Sequence, residues 1–110
     1  HISARELAKV GYLLMQNGKW ADDEVVPSSW IEKATKPSQT LNPEYGFTFW
    51  VNTDGTRWPG LPVDMFSLEG YNTNRCYVIP SKELVVVRVG SGPNQWNEQL
   101  FIKQVLKAIN

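Results

Sequence analysis

The chain predicts an α+β fold, an antiparallel sheet covered by helices, and three observations carry the prediction. Helical periodicity opens and closes the sequence. Aromatic and β-branched runs fill its middle and second half. Consecutive runs are separated by short turn signals, which join neighbouring strands in antiparallel order.

The elements follow in order. Ser3 to Glu6 is a Ser-x-x-Glu capping box, and Leu7, Val10, Leu13 and Leu14 recur behind it at helical spacing. Asn17-Gly18 supplies the stop, because Gly takes the left-handed conformation freely, so a helix over 4–16 is expected. Residues 19–26, with the acidic run Asp22-Asp23-Glu24, read as a turn, a solvated loop and a short extended piece. Pro27-Ser28-Ser29 opens a second helix carrying Trp30, Ile31 and Ala34, which Pro37 ends. Residues 38–44 read as a loop. The run 45–52, YGFTFWVN, reads as a strand with Phe47, Phe49 and Val51 on one side and Thr48 and Trp50 on the other.

Asp54-Gly55 is a hairpin-type turn signal. The run 58–64, WPGLPVD, carries two prolines and a glycine and reads as a loop packed over the sheet. The stretch 66–90 reads as adjacent strands joined by the Pro80–Glu83 turn, with a Gly-centred segment ahead of them. Residues 75–79 alternate, Cys76 and Val78 opposing Arg75, Tyr77 and Ile79. Residues 84–89 are almost continuously apolar, as in a strand covered on both faces. After a break at 90–93, Asn94 or Asn97 caps a last helix carrying Trp96, Leu100, Phe101, Val105, Leu106 and Ile109.

The totals describe one modest globular unit. The 110 residues are 42% hydrophobic and 20% charged, and 11 basic residues balance 11 acidic ones. No global field favours nucleic acid or an anionic membrane. Cys76 is the single cysteine, which removes an internal disulfide and a cysteine-based metal cluster. No apolar run is long enough to span a bilayer. The chain lacks an initiator Met and opens almost directly into a helix, which fits a fragment or processed product.

Several blocks fall in the order of a known family. HISARELAKVGYLLMQNGKW is similar to a Ser-Ala-Arg-Asp/Glu-Leu-Ala helix followed by Gly-x-Trp. VVPSSWIEKATKP is similar to the short helix after it, YGFTFWVN to a Tyr-Gly-x-x-Trp strand, and 66–90 plus the terminal helix to the family's ending. The chain thus resembles, over nearly all its length, the C-terminal part of the serine β-lactamase and penicillin-binding-protein superfamily, which includes class C β-lactamases, DD-peptidases and esterases. The resemblance implies the C-terminal part of the β-lactamase/transpeptidase-like fold. It implies a parent that forms an acyl-enzyme on an ester, amide or β-lactam, works without a cofactor or metal, and resides in the periplasm or another extracytoplasmic space.

That chemistry uses Ser-x-x-Lys, Tyr-x-Asn (or Ser-x-Asn) and Lys/His-Thr/Ser-Gly. The first two are absent. Ser3, Ser28, Ser29, Ser38, Ser67, Ser81 and Ser91 all lack a Lys at the fourth position, and no Tyr has an Asn two residues on. Counting back from Pro80 puts the third motif at Leu68-Glu69-Gly70, with Leu68 in the basic position and Glu69 in the hydroxyl position. The resemblance implies that the Tyr71 backbone N–H would be an oxyanion donor, that Gly70 would let the backbone approach substrate, and that Leu68, Glu69 and Asn72 would contact it. Losing the basic residue weakens recognition of a substrate carboxylate. Trp58, in the Pro/Gly loop, is the tryptophan expected to line a cleft, while Trp20, Trp30, Trp50 and Trp96 are expected to pack.

Other polar features read as structural. His1 has no second His with which to build a metal site, Cys76 reads as a small core residue, and Arg88 as a paired one. The expectation is therefore an inactive C-terminal portion of a serine hydrolase. Its partners would be a small-molecule or peptide-like substrate in the parent, the missing N-terminal portion of the same fold, and a second copy of the fragment. The competing reading is a non-catalytic binding module that kept the fold and lost the chemistry.

Overall fold

The structure, a computed structural model, describes residues 3–35, 49–69, 74–89 and 97–109. Helix α1 (Ala4–Met15) begins at the expected capping box. The Glu6 N–H donates to Ser3 Oγ and the Ser3 N–H to Glu6 Oε1, both at 3.2 Å. It ends where Asn17 (φ 57°) and Gly18 (φ 86°) turn left-handed, and the Gly18 N–H reaches back to the Leu13 carbonyl at 2.9 Å.

The acidic run is not a plain loop. β1 (Lys19–Trp20) and β2 (Asp23–Glu24) form an antiparallel hairpin whose turn puts Ala21 at φ 58°. Both valines after it, Val25 and Val26, donate N–H bonds to the Gly18 carbonyl, which folds the hairpin back onto the end of α1. Its carboxylates are exposed, as expected. Helix α2 (Ser28–Ala34) starts behind Pro27 and buries Ile31 and Ala34.

Four strands, β3 (Trp50–Val51), β4 (Phe66–Glu69), β5 (Arg75–Ile79) and β6 (Leu84–Arg88), make one antiparallel sheet in sequence order. The register pairs Trp50 with Ser67, Ser67 with Tyr77, and Tyr77 with Val86. A one-residue alternation therefore sends Phe66, Leu68, Cys76, Val78, Val85 and Val87 to one face and Ser67, Glu69, Arg75, Tyr77, Ile79 and Val86 to the other. The first face packs on α1 and α2 through Leu14, Ile31, Ala34, Phe49 and Val51. The second packs on helix α3 (Glu98–Ile109) and the 58–65 loop through Trp58, Leu61, Met65 and Ile102. Phe49 and Val51 join the first cluster and Trp50 borders the second, as the alternation predicted. Tyr45, Phe47 and Thr48 lie outside the described residues.

Two connections position the second face. The Asp54-Gly55 turn forms, with the Gly55 N–H on the Asn52 carbonyl, but it does not close the β3–β4 hairpin. The chain runs on to Met65 as a packed loop held by buried Asn52. The Asn52 amide nitrogen donates to the carbonyls of Trp58, Leu61 and Pro62 at 3.1, 3.2 and 3.0 Å, and its Oδ1 accepts from the Trp58 N–H at 2.9 Å. The expected turn at Pro80–Glu83 is a 3-10 turn over Pro80–Lys82 with Glu83 left-handed. Asp64 ties it to the loop by accepting from the Ser81 N–H and hydroxyl.

The packing refines two expectations and corrects a third. Residues 84–88 are covered on both faces, yet β6 is the outer strand among the described residues and each of its side chains is only partly buried. In α3 the fully buried residue is Ile102, while Leu100 and Ile109 are half exposed, because the helix turns the 101-102-106 stripe to the sheet. Trp20 is 46% exposed rather than packed, its ring meeting Tyr12 edge-on at 5.8 Å, and Trp30 is also exposed on one side. Asn97 is the α3 cap, accepting from the Leu100 N–H; Asn94 and Trp96 lie outside the described residues.

Candidate functional site

The polar side chains of the second face converge at the end of β4. Glu69 is the last described residue of that strand, next to Gly70. Arg57, from the packed loop, spans both its oxygens through Nη2 at 3.1 and 2.9 Å. Ser67, two residues earlier on the same face, donates to Glu69 Oε2 at 3.0 Å. Arg75, its cross-strand partner in β5, brings Nε within 3.7 Å of Glu69 Oε1 and within 3.8 Å of Glu98 Oε1. The Tyr77 hydroxyl donates to the same Glu98 oxygen at 2.6 Å. The Arg57 guanidinium also lies over the Trp50 ring, 4.2 Å from its centroid, and near Trp58 at 5.3 Å.

Two carboxylates and two guanidiniums thus alternate across the sheet, from loop to β4 to β5 to α3. The Glu69 side chain is 12% exposed, so its ion pairs are largely desolvated. Removing one partner of such a buried pair costs about 3–5 kcal/mol, against at most about 1 for a surface pair. Tyr77 is held neutral far into the alkaline range, first by burial and then by its hydrogen bond to Glu98.

The arrangement is a clamp rather than a nucleophile with its base. Ser67 is fully buried, and the carboxylate it bonds is engaged by two arginines. Burial pushes the Cys76 thiol up to about 11, and its Sγ lies 3.7 Å from the Leu7 carbonyl, as befits a core residue. Among the described residues no group of three or more His, Cys, Asp or Glu is placed to hold a metal ion, and no helix is long and apolar enough to cross a membrane.

The expected site residues fare differently. Glu69 is in the clamp. Leu68 faces the other way, against the core cluster under α1. Trp58 is 1% exposed and packs edge-on against Tyr77 at 6.3 Å, so its ring is core and not a cleft wall. Gly70, Tyr71 and Asn72, like His1, lie outside the described residues. Sequence reading missed Arg57, Tyr77 and Glu98 as partners. Alternation put Arg75 and Tyr77 on one face, but nothing in the spacing joined them to a loop arginine or to a glutamate more than twenty residues away. A separate cavity of about 250 Å³, lined by Leu14, Ile31, Thr35, Val63 and Phe66 among others, sits at the opposite end of β4 and contains none of the expected site residues.

Comparison with known proteins places the fold. No protein-family profile matches the chain. An uncharacterized protein of Alkalihalophilus pseudofirmus is 32% identical over 97 residues, covering 80% of this chain and 29% of that protein. The solved structure named "Putative 6-aminohexanoate-dimer hydrolase from Bacillus anthracis" superposes with a TM-score of 0.66 at 21% identity, covering 96% of this chain and 27% of that one. The chain spans less than a third of the length of either relative. Its helices and antiparallel sheet therefore share the fold of one segment of that structure, the α+β architecture of the β-lactamase/transpeptidase-like fold.

Proposed function

We propose that this chain is the C-terminal sheet-and-helix portion of a serine hydrolase of the β-lactamase and penicillin-binding-protein superfamily. Its parent acts through an acyl-enzyme on an ester, amide or β-lactam. The observation that carries the reading is the near-complete superposition of the chain on about a quarter of a structure named as a hydrolase. The order of sequence blocks supports it independently. On this reading the nucleophile and its base come from the rest of the parent, since Ser-x-x-Lys and Tyr-x-Asn are absent here. The segment after Glu69 supplies the oxyanion donor through the Tyr71 N–H, with Gly70 and Asn72 beside the substrate. The Arg57–Glu69–Arg75 clamp anchors the strand from which that segment leaves.

A fluorophosphonate probe tests both halves of the proposal. The parent protein should be labelled on a serine followed three residues later by lysine, and the 110-residue chain alone should not be labelled. Labelling of the isolated chain would overturn its assigned inactivity. A parent without Ser-x-x-Lys that binds ligand without turnover would favour the second reading, a non-catalytic binding module. Two observations favour that alternative: Leu68 stands in the basic position with its side chain in the core, and the Glu69 carboxylate is occupied by arginines.

A further inference from the structure

Glu98 opens helix α3, and two unlike contacts meet at its Oε1. The Tyr77 hydroxyl donates to it at 2.6 Å, and Arg75 Nε stands 3.8 Å away. The same Nε lies 3.7 Å from Glu69 Oε1. Both distances exceed hydrogen-bond length, so charge does the holding there, and this atom is divided almost evenly between two carboxylates. Arg75 Nη1 donates to the Asn74 carbonyl at 3.0 Å, which limits how far the guanidinium swings. On Glu69 the competition continues: Arg57 Nη2 donates to both oxygens, and the Ser67 hydroxyl to Oε2. All four charged side chains are mostly buried, so bulk salt screens them little. The helix end that carries Glu98 is itself pinned. Asn97 caps it, and Gln99 donates to the Pro59 carbonyl, in the loop that carries Arg57. Loop, β4, β5 and α3 thus form a closed ring of contacts through the Glu69 carboxylate.

We propose that Glu98 is a positioning residue for the reaction of the parent: by drawing Arg75 toward α3, it sets how Glu69 is shared between two arginines and so fixes the end of β4 that borders the substrate. This inference deepens the hydrolase reading and rests on it. Glu98 acts through Arg75 and Glu69 and not by touching substrate. Without its charge, Arg75 moves fully onto Glu69 and competes there with Arg57 and Ser67 for one carboxylate. The resulting shift falls on the last described residue of β4. A small displacement beside reacting atoms lowers the rate of the chemical step more than it weakens binding of the ground state. Tyr77 serves a different end of the same device: its hydrogen bond orients the Glu98 carboxylate toward Arg75.

The test uses the parent protein carrying Glu98→Gln, Arg57→Lys, or both. Gln keeps the shape of Glu98 and an oxygen for the Tyr77 hydroxyl, and removes only the charge. With a p-nitrophenyl ester, Glu98→Gln should lower kcat about tenfold while KM stays nearly constant, and fluorophosphonate labelling should slow by a similar factor. Arg57→Lys should show the same split, which keeps the test open should Glu98→Gln fail to fold. The double variant should lose no more than the worse single one, because both act on one carboxylate. In protein made with isotope-labelled arginine, Glu98→Gln should move the Nε resonance of Arg57 as well as that of Arg75. The proposal is overturned if Glu98→Gln leaves kcat and labelling unchanged in a parent that is labelled, if it raises KM alone, if the two single losses multiply, or if only the Arg75 resonance moves. A parent that is never labelled sinks the hydrolase reading and the catalytic role with it, and the arginine resonances then decide the sharing of Glu69 on their own.

Discussion

Asn52 satisfies with one side chain the Leu61 carbonyl and the Trp58 N–H, and it adds a second bond to the Trp58 and Pro62 carbonyls, which also accept from the Leu61 and Met65 N–H groups. Asn52→Ala should lower stability by about 3 kcal/mol, the cost of one orphaned carbonyl, one orphaned N–H and two weakened acceptors, read as a shift in urea midpoint. A loss under about 1 kcal/mol would mean that water takes over the role. Cys76 sets a pH limit at the same scale. Its pKa rises from 9.0 to about 11 on folding because burial disfavours the thiolate. The neutral thiol therefore contributes stability that is complete below pH 9 and is lost as pH climbs to about 11. Tyr77 adds a loss of the same sign, beginning at its ordinary value of 10. Thermal unfolding should weaken across this window, and Cys76→Ala should flatten the lower part of the decline.

At the scale of elements, the sequence was most legible where local chemistry decides. The capping box, the Asn17-Gly18 stop, an asparagine cap at Asn94 or Asn97 and the alternation of β5 were readable because each is set within a few residues. Elements decided by tertiary contact were not. The two-residue strands β1 and β2 are too short for periodicity, and they exist because Val25 and Val26 bond the end of α1. The apolar residues of α3 were legible but not which of them are buried, because Leu100, Phe101, Ile102, Val105, Leu106 and Ile109 form a broad apolar arc and only the sheet selects its buried part. Trp58 was misread for a related reason: the Pro/Gly loop suggested exposure, whereas Asn52 turns it inward. The clamp residues were visible singly, but their pairing is a property of the packed sheet. Two glycines test the α1 packing. A Cβ at Gly11 would meet Cys76 Sγ at 2.7 Å and Val85 Cγ1 at 2.8 Å, both side-chain atoms. A Cβ at Gly18 would stand 1.9 Å from the Val26 carbonyl oxygen, at a φ of +86°. Gly11→Ala should cost about 1–3 kcal/mol through overpacking. Gly18→Ala should cost more, because backbone must move, and a reversed order in chemical denaturation would contradict this account.

For the whole molecule, the outer strand matters most. β6 offers a short edge of Leu84, three valines and Arg88, without proline, and the described part of the sheet has no strand beyond it. The isolated chain should self-associate through this edge, and sedimentation equilibrium should show dimers growing with concentration. A clean monomer at high concentration would count against it. The two apolar clusters on opposite faces of one sheet also mean that neither helical layer can leave without exposing a core, so the described residues should unfold in one cooperative step. The left-handed end of α1 then takes on a different meaning. Asn-Gly is the dipeptide most prone to spontaneous deamidation, through attack of the glycine nitrogen on the preceding side chain. In the native fold the Gly18 nitrogen is committed to the Leu13 carbonyl. Ageing at Asn17 therefore proceeds only from molecules whose helix end has opened, and the slow appearance of isoaspartate becomes a chemical clock of how often this protein lets go of its first helix.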